Sequence, residues 1–291
     1  MEIKKLLPGI KTNIPLKNYT TFKIGGKAKY FFEAKTKEDL IKAVKLAKKL
    51  KLPFFILGGG SNLLVSDKGF NGLVIKFGQP LSLYVSNGLE WAAGIPGTIQ
   101  AAVYGNAGAF GRSMKDVVQE VEVFDVEAEK IKIFKNKDCQ FGYRESIFKK
   151  KKNLIILSVK IKSGKSDPKK IKEYLDYKEQ HHPRLPSAGC VFKNFQFSIS
   201  NFQLLTKKFP EFSQFKERGN IPAAFLISQC GLKGKKIGNA QISEKHANFI
   251  VNLEEAKAKD VKKLIKLIKK SVKERFKINL EEEIQYLGFE N

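Results

Sequence analysis

The chain has 291 residues, 42% of them hydrophobic and 23 of them Phe; it is long enough for two or three packed units and too apolar to be disordered. It has no run of about 18 apolar residues, so no membrane insertion is expected. The net charge of +25 comes mostly from lysines scattered end to end, without an arginine-rich cluster, which reads as solvated faces and predicts no nucleic-acid partner.

Met1 to Ile10 carries lysines but no apolar secretion region. Leu40, Ala43, Val44, Ala47 and Leu50 form a stripe that predicts a helix over 38–50. Phe54-Phe55-Ile56-Leu57, Leu63-Leu64-Val65 and Leu73-Val74-Ile75 read as short strands, and Gly58-Gly59-Gly60-Ser61-Asn62 joins the first two. Residues 91–111 are dominated by Gly and Ala. Val121, Val123, Ile131 and Ile133 alternate with polar residues, as half-buried strands do, and Leu154 to Ile161 is a further strand. Ser163-Gly164-Lys165-Ser166 marks a domain boundary, giving domains 1–163 and 164–291. Asp167-Pro168 then opens a helix through Ile171, Tyr174 and Leu175. Pro222 opens a short apolar helix, a long one covers 255–276, and Ile278 to Leu287 reads as a final strand. The fold class is α+β.

Cys139, Cys190 and Cys230 are an odd, low count that fits a reducing compartment, so a cytoplasmic protein is expected. We read no metal site and expect a monomer.

Three successive glycines after a buried strand let backbone N–H groups approach a pyrophosphate, and Ser61 and Asn62 add side-chain hydrogen bonds. No Gly-Lys-Ser/Thr follows, so this is not a P-loop, and the strand-like Leu63-Leu64-Val65 argues against a Rossmann fingerprint. A tight turn between two strands is the plain alternative. The small residues of 92–111 let backbone lie against a flat ligand or against other backbone.

The glycine loop, Gly94-Ile95-Pro96-Gly97-Thr98 and Asn106-Ala107-Gly108-Ala109-Phe110-Gly111 resemble the UDP-N-acetylenolpyruvoylglucosamine reductase family. Phe141-Gly142-Tyr143-Arg144-Glu145-Ser146, Ser187-Ala188-Gly189-Cys190-Val191-Phe192-Lys193-Asn194, Ser243 to Asn252 and Leu280 to Gly288 resemble later motifs of that family, in its usual order. The resemblance implies a two-lobed FAD-binding domain of the vanillyl-alcohol-oxidase type and a smaller α+β substrate domain. It implies FAD as cofactor, NADPH as hydride-donating co-substrate and UDP-N-acetylglucosamine enolpyruvate as substrate, in peptidoglycan precursor synthesis. By the same resemblance Gly58, Gly59, Gly60, Ser61, Asn62, Gly97, Thr98, Ala107 and Gly108 bind FAD. Arg144 and Glu283 flank the enolate, Cys190 donates the proton, and Tyr143 and Asn194 line the substrate site. Many family members have serine where Cys190 stands. A thiol, with an ordinary pKa of about 8.5, is protonated at neutral pH and far more acidic than an alcohol, so it suits the role. Read singly, Arg144 could be a salt-bridge residue, Cys190 an inert thiol, and Glu283 a surface acid beside Glu281 and Glu282.

The chain departs from the family pattern at three places. Only Gly78 to Asn87 lie between the third strand and Gly88-Leu89-Glu90-Trp91, where the family has a longer stretch. Gln100-Ala101 replaces a glycine pair, which predicts a Gln side chain near the flavin. Gln180, His181 and His182 occupy the neighbourhood of a family lysine upstream of the proton donor, with Arg184 nearby. The tyrosine-bearing substrate loop of the longer subtype has no counterpart. The other reading is a degenerate FAD-binding relative without this activity.

Overall fold

The computed structural model describes residues 2–289. By compactness the chain divides into two units, one made of 1–19, 26–61 and 68–180 and the other of 20–25, 62–67 and 181–291. The division falls between Gln180 and His181, at the last residue of helix Pro168–His181, whereas the sequence boundary lies ahead of that helix. The cause is local: Leu175 and Lys178 of that helix pack on Gly94, and Tyr174 stacks on Phe110.

In the first unit a four-stranded sheet has the order Lys11–Pro15, Lys27–Glu33, Phe70–Lys76, Phe54–Leu57. The first pairing is antiparallel and the other two are parallel, with Phe31 and Phe55 both opposite Val74. Parallel neighbours require a crossover, and helix Lys37–Lys49 lies between Lys27–Glu33 and Phe54–Leu57 in the chain. Thr36 starts this helix with a capping box: its Oγ1 accepts the Asp39 N–H at 3.1 Å and the Asp39 carboxylate accepts the Thr36 N–H at 3.1 Å. Leu40, Ala43, Val44 and Ala47 are buried in one cluster with Phe32, Leu73 and Ile75. The predicted stripe is therefore the packing face as far as Ala47, whereas Leu50 caps the helix and is exposed.

A second, antiparallel sheet has the order Leu154–Ile161, Val118–Asp125, Lys130–Lys135. Val121 and Val123 are buried, but Ile131 and Ile133 are 49% and 60% exposed. The expected half-burial fails there because Lys130–Lys135 is an edge strand with its alternation turned to solvent. The Gly/Ala-rich stretch folds as helix Ile99–Tyr104, capped by Thr98, and the small hairpin Gly108–Ala109/Arg112–Ser113. The shortened stretch is a 3₁₀ segment, Leu81–Asn87, ended by Gly88 at φ 95°.

In the second unit an antiparallel sheet has the order Ser187–Cys190, Phe249–Asn252, Ala240–Ile242, Lys236–Ile237. Helix Ala258–Phe276 buries Val261, Leu264, Ile265, Ile268, Val272 and Phe276 in a cluster that also holds Phe22, Ile24 and Leu64. Asp67 accepts the N–H groups of Ala258 and Lys259 at 2.8 and 3.1 Å, satisfying the start of that helix from far away in sequence. The predicted final strand is only Gln285–Leu287, paired parallel with Leu63–Val65. Helix Ile199–Lys208 was not legible: Phe202 is its buried residue, and Ile199 and Leu204 are exposed.

Candidate active site

The loops of the first unit meet through positions where side chains are forbidden. A Cβ on Gly59 would lie 2.4 Å from the Gly97 Cα, and one on Gly58 2.7 Å from Thr98 Oγ1. Gly60 and Gly97 have φ of 63° and 136°. The two glycine segments are thus in backbone contact, which a tight turn by itself does not require. Thr98 is buried, and its Oγ1 accepts the Ala101 N–H at 3.3 Å, so its side chain caps a helix. Ser61 Oγ lies 3.2 Å from a Cβ placed on Gly97.

Gln100 is buried, accepts the Gln79 N–H at 3.0 Å and donates to the Leu157 carbonyl at 3.3 Å. Its amide thus ties the shortened stretch to the second sheet, an engagement that the expectation of a Gln side chain near the flavin did not include.

Arg144 sits in a two-residue turn closed by reciprocal backbone bonds between Gly142 and Glu145 at 3.0 and 3.1 Å. Its φ is 57°, a conformation that an arginine seldom adopts. Arg144 Nη2 donates to the Gly108 carbonyl at 2.9 Å, and its guanidinium lies 5.4 Å from the centre of the Tyr143 ring. Buried Asn106 donates to the Gly142 carbonyl at 2.7 Å and accepts the Lys115 N–H at 3.0 Å. Arg144, Gly108 and Ala107, which donates to the Ala102 carbonyl at 2.8 Å, therefore belong to one hydrogen-bonded loop system.

Within the second unit, Cys190 ends strand Ser187–Cys190 after a bulge and after Gly189 at φ 75°. Bulges re-aim side chains. Buried Asn248 grips Phe192, two residues further on, from both sides: its Oδ1 accepts the Phe192 N–H at 2.9 Å and its Nδ2 donates to the Phe192 carbonyl at 2.8 Å. The Glu283 N–H donates to the carbonyl of Val191, the residue after Cys190, at 2.8 Å, beside a bridge between Phe192 and Glu282, so segments far apart in sequence are paired there. Asn62 Nδ2 donates to the Glu283 carbonyl at 3.0 Å, an engagement of the predicted FAD-binding amide that sequence reasoning missed. Asn194 Oδ1 accepts the Ala223 N–H at 3.2 Å, at the start of helix Ala223–Gln229.

The three neighbouring acids differ. Glu281 pairs with Lys193 at 3.2 Å, and Glu282 takes Lys269 at 2.7 Å and the Tyr286 hydroxyl. Burial opposes ionisation of Glu282, but these donors outweigh it and its carboxyl lies below the usual range. Glu281 and Glu282 are thus both held in ion pairs. Sequence reasoning also missed Asn248 and Asn252. Asn252 Nδ2 donates to the Phe22 carbonyl at 3.1 Å, and its Oδ1 accepts the Ala256 N–H at 2.9 Å. The available signal was an asparagine at either end of Phe249-Ile250-Val251, where a buried amide needs backbone partners.

Fold and loops define a two-domain protein of the FAD-binding class: residues 28–86 match a family model described as FAD binding domain. Residues 180–287 match the model described as UDP-N-acetylenolpyruvoylglucosamine reductase, C-terminal domain. The chain belongs to the UDP-N-acetylenolpyruvoylglucosamine reductase family. It is 35% identical to the reductase of that name from Solibacter usitatus, over 96% of this chain and 97% of the relative. It is 39% identical to that of Caldicellulosiruptor bescii, over 94% and 89%. It is similar to the crystal structure of UDP-N-acetylenolpyruvylglucosamine reductase from Thermus caldophilus, with TM-score 0.74 and 31% identity, over 96% of this chain and 98% of that one. Among the described residues no helix is long and apolar enough to cross a membrane.

Proposed function

We propose that this chain reduces the enolpyruvyl group of UDP-N-acetylglucosamine enolpyruvate to give UDP-N-acetylmuramate, using NADPH and FAD, in peptidoglycan precursor synthesis. The observation that carries the reading is the backbone bond that holds Glu283 beside the Cys190 strand, inside the segment that matches the reductase C-terminal domain.

The first unit fits FAD. Its glycine segments touch where a Cβ would overlap backbone, the arrangement that lets N–H groups approach a pyrophosphate. Gly58, Gly59, Gly60, Ser61, Gly97, Thr98, Ala107 and Gly108 would hold the cofactor, with the backbone at Asn62 continuing the loop. When bound, FAD supplies the two-electron exchange between NADPH and the double bond. Arg144 and Glu283 stabilise charge that develops on the carboxylate side of the substrate. Cys190 breaks its S–H bond and gives the proton to the carbon bearing the carboxylate. Tyr143 and Asn194 border the substrate. The first unit, centred on 1–163, serves the cofactor, and 164–291 serves the substrate.

We place the protein in the cytoplasm as a monomer, with no nucleic-acid partner; three free cysteines support a reducing compartment. The test is absorbance between about 300 and 550 nm during anaerobic addition of NADPH and then of the enolpyruvyl sugar. Flavin bands that bleach and then return support the proposal. A protein that takes up no FAD, or whose reduced flavin ignores the sugar, overturns it. Light scattering tests the monomer.

A further inference from the structure

The chain contains three histidines, and all of them belong to the second unit: His181, His182 and His246. The His182 ring lies 5.6 Å from the His246 ring and 5.0 Å from the Phe249 ring, and His246 lies 4.8 Å from Phe249. Phe249 is the residue directly opposite Cys190 in the ladder between Ser187–Cys190 and Phe249–Asn252. Directly opposite residues of an antiparallel pair project from the same face, with Cβ atoms about 4.5–5.5 Å apart. Both imidazoles therefore border the phenyl ring of the residue paired with Cys190 across the ladder. Ser243 Oγ accepts the N–H groups of Lys245 and His246 at 3.2 Å each, fixing the turn that carries the imidazole. Among the described residues, His246 Nδ1 is buried with no hydrogen-bond partner outside its own backbone, a ring nitrogen still able to exchange a proton.

We infer that His246, with the His182 ring edge-on to it, is a proton-supplying positioning residue that acts through Cys190: it leaves the thiol protonated at rest and returns a proton to the sulfur after each turnover. The inference rests on Cys190 being the proton donor proposed above. The proton balance is closed. Cys190 gives its proton to the substrate carbon and becomes a thiolate. An imidazolium N–H bond then breaks as the S–H bond reforms, and the neutral imidazole takes a proton from water. No electrons are exchanged in this reset.

The surroundings favour this direction. Burial, Lys233 and His181 hold His246 below its usual value, against a backbone hydrogen bond that raises it. A weakly basic imidazole does not strip the thiol at rest, unlike the thiolate–imidazolium pairs of cysteine nucleophiles. Once protonated, it is a stronger acid than the thiol, whose ordinary pKa is about 8.5, so transfer to the thiolate is downhill. The titratable and charged groups that act on it are Lys233 and His181, and the His182 ring lies edge-on to it at 5.6 Å.

Two measurements test this on the FAD-loaded chain. The first is alkylation of Cys190 by iodoacetamide against pH, read by peptide mass so that Cys230 does not interfere. Burial and Asp138 push Cys139 up to about 12, which keeps it silent. The wild type shows two inflections, one from His246 and one from the thiol. His246→Asn shows only the second, and Lys233→Met moves the first to higher pH. The second measurement is turnover: His246→Asn keeps its first turnover but slows about tenfold or more in steady state, and added imidazole restores it. Identical alkylation profiles in wild type and both variants overturn the inference, as does an equal fall of first turnover and steady state. A protein that binds no FAD fails the proposed function instead, and its alkylation profile still decides whether the histidines face the sulfur.

Discussion

The two units hold their candidate residues by opposite means. In the first, the close approach of two loops depends on side chains being absent: Gly58 and Gly59 have no room for a Cβ against Thr98 and Gly97, so backbone lies on backbone. In the second, side chains are held. Asn248 grips Phe192 through two bonds, Asn62 holds the Glu283 carbonyl, and Asn252 ties Phe22 to Ala256. A cradle for a large planar cofactor needs close approach over many atoms. A proton donor and a carboxylate need two atoms fixed in place. The difference predicts that added volume damages the first unit and lost hydrogen bonds damage the second.

The largest effect is expected at Cys190. Cys190→Ala removes the proposed proton donor and should slow the substrate half-reaction by about 10²–10⁴-fold, with the NADPH half-reaction unchanged. Stopped-flow absorbance separates the two. A variant that reoxidises with the sugar at the wild-type rate would leave the second unit with no chemical role for its thiol.

Next is Gly59→Ala. Its new methyl would meet the Gly97 Cα at 2.4 Å, so one of the two segments must move. Overpacking of this kind costs about 1–3 kcal/mol, and FAD should be lost on gel filtration. Retention of FAD at wild-type affinity would show that the close approach is not used by the cofactor. Asn248→Ala tests the other side of the comparison. It strips the Phe192 N–H and carbonyl of their partners, at about 1–3 kcal/mol by denaturant unfolding. FAD affinity should be unchanged while the substrate half-reaction slows. Equal damage to both readouts would erase the distinction between the units.

These residues also show how far the sequence could be read. The strands around the glycine loop, the capped helix after Thr36 and the helix opened by Pro168 were legible because propensity, periodicity and caps are local. Cys190 and Glu283 were legible only through the order of the motifs, since their neighbourhood is created by a sheet. What was hidden depends on distant partners. Asn62 meets a carbonyl 221 residues away, and Asn252 one that is 230 residues away. Gln100 turns inward because the Leu157 carbonyl and the Gln79 N–H await it, and nothing within the neighbouring sequence announces either. The short segments 20–25 and 62–67 belong to the second unit for the same reason, being held there by Asn252, Glu283 and the start of helix Ala258–Phe276.

The smallest effect concerns a side chain that the first unit does hold, and so limits the contrast. Lys178 donates to the Ala93 carbonyl, lies 5.6 Å from the centre of the Phe110 ring, and has its Cδ 3.4 Å from a Cβ placed on Gly94. Burial lowers its amine from the ordinary 10.5 to about 8. Between those values the unfolded chain binds more protons than the folded one, so this group makes stability rise with pH. Its cost to the folded state is fully present below about 8 and is relieved as pH climbs toward 10.5. Lys178→Met has no such titration but loses the bond to Ala93. The wild type should therefore gain thermal stability over Lys178→Met as pH rises through that window, measured as the difference in Tm between the two proteins at matched pH. Other lysines titrate in both proteins and cancel in the difference. A difference that stays flat would place the Lys178 amine in water and leave the contacts of Tyr174, Leu175 and Tyr177 to hold helix Pro168–His181 in place.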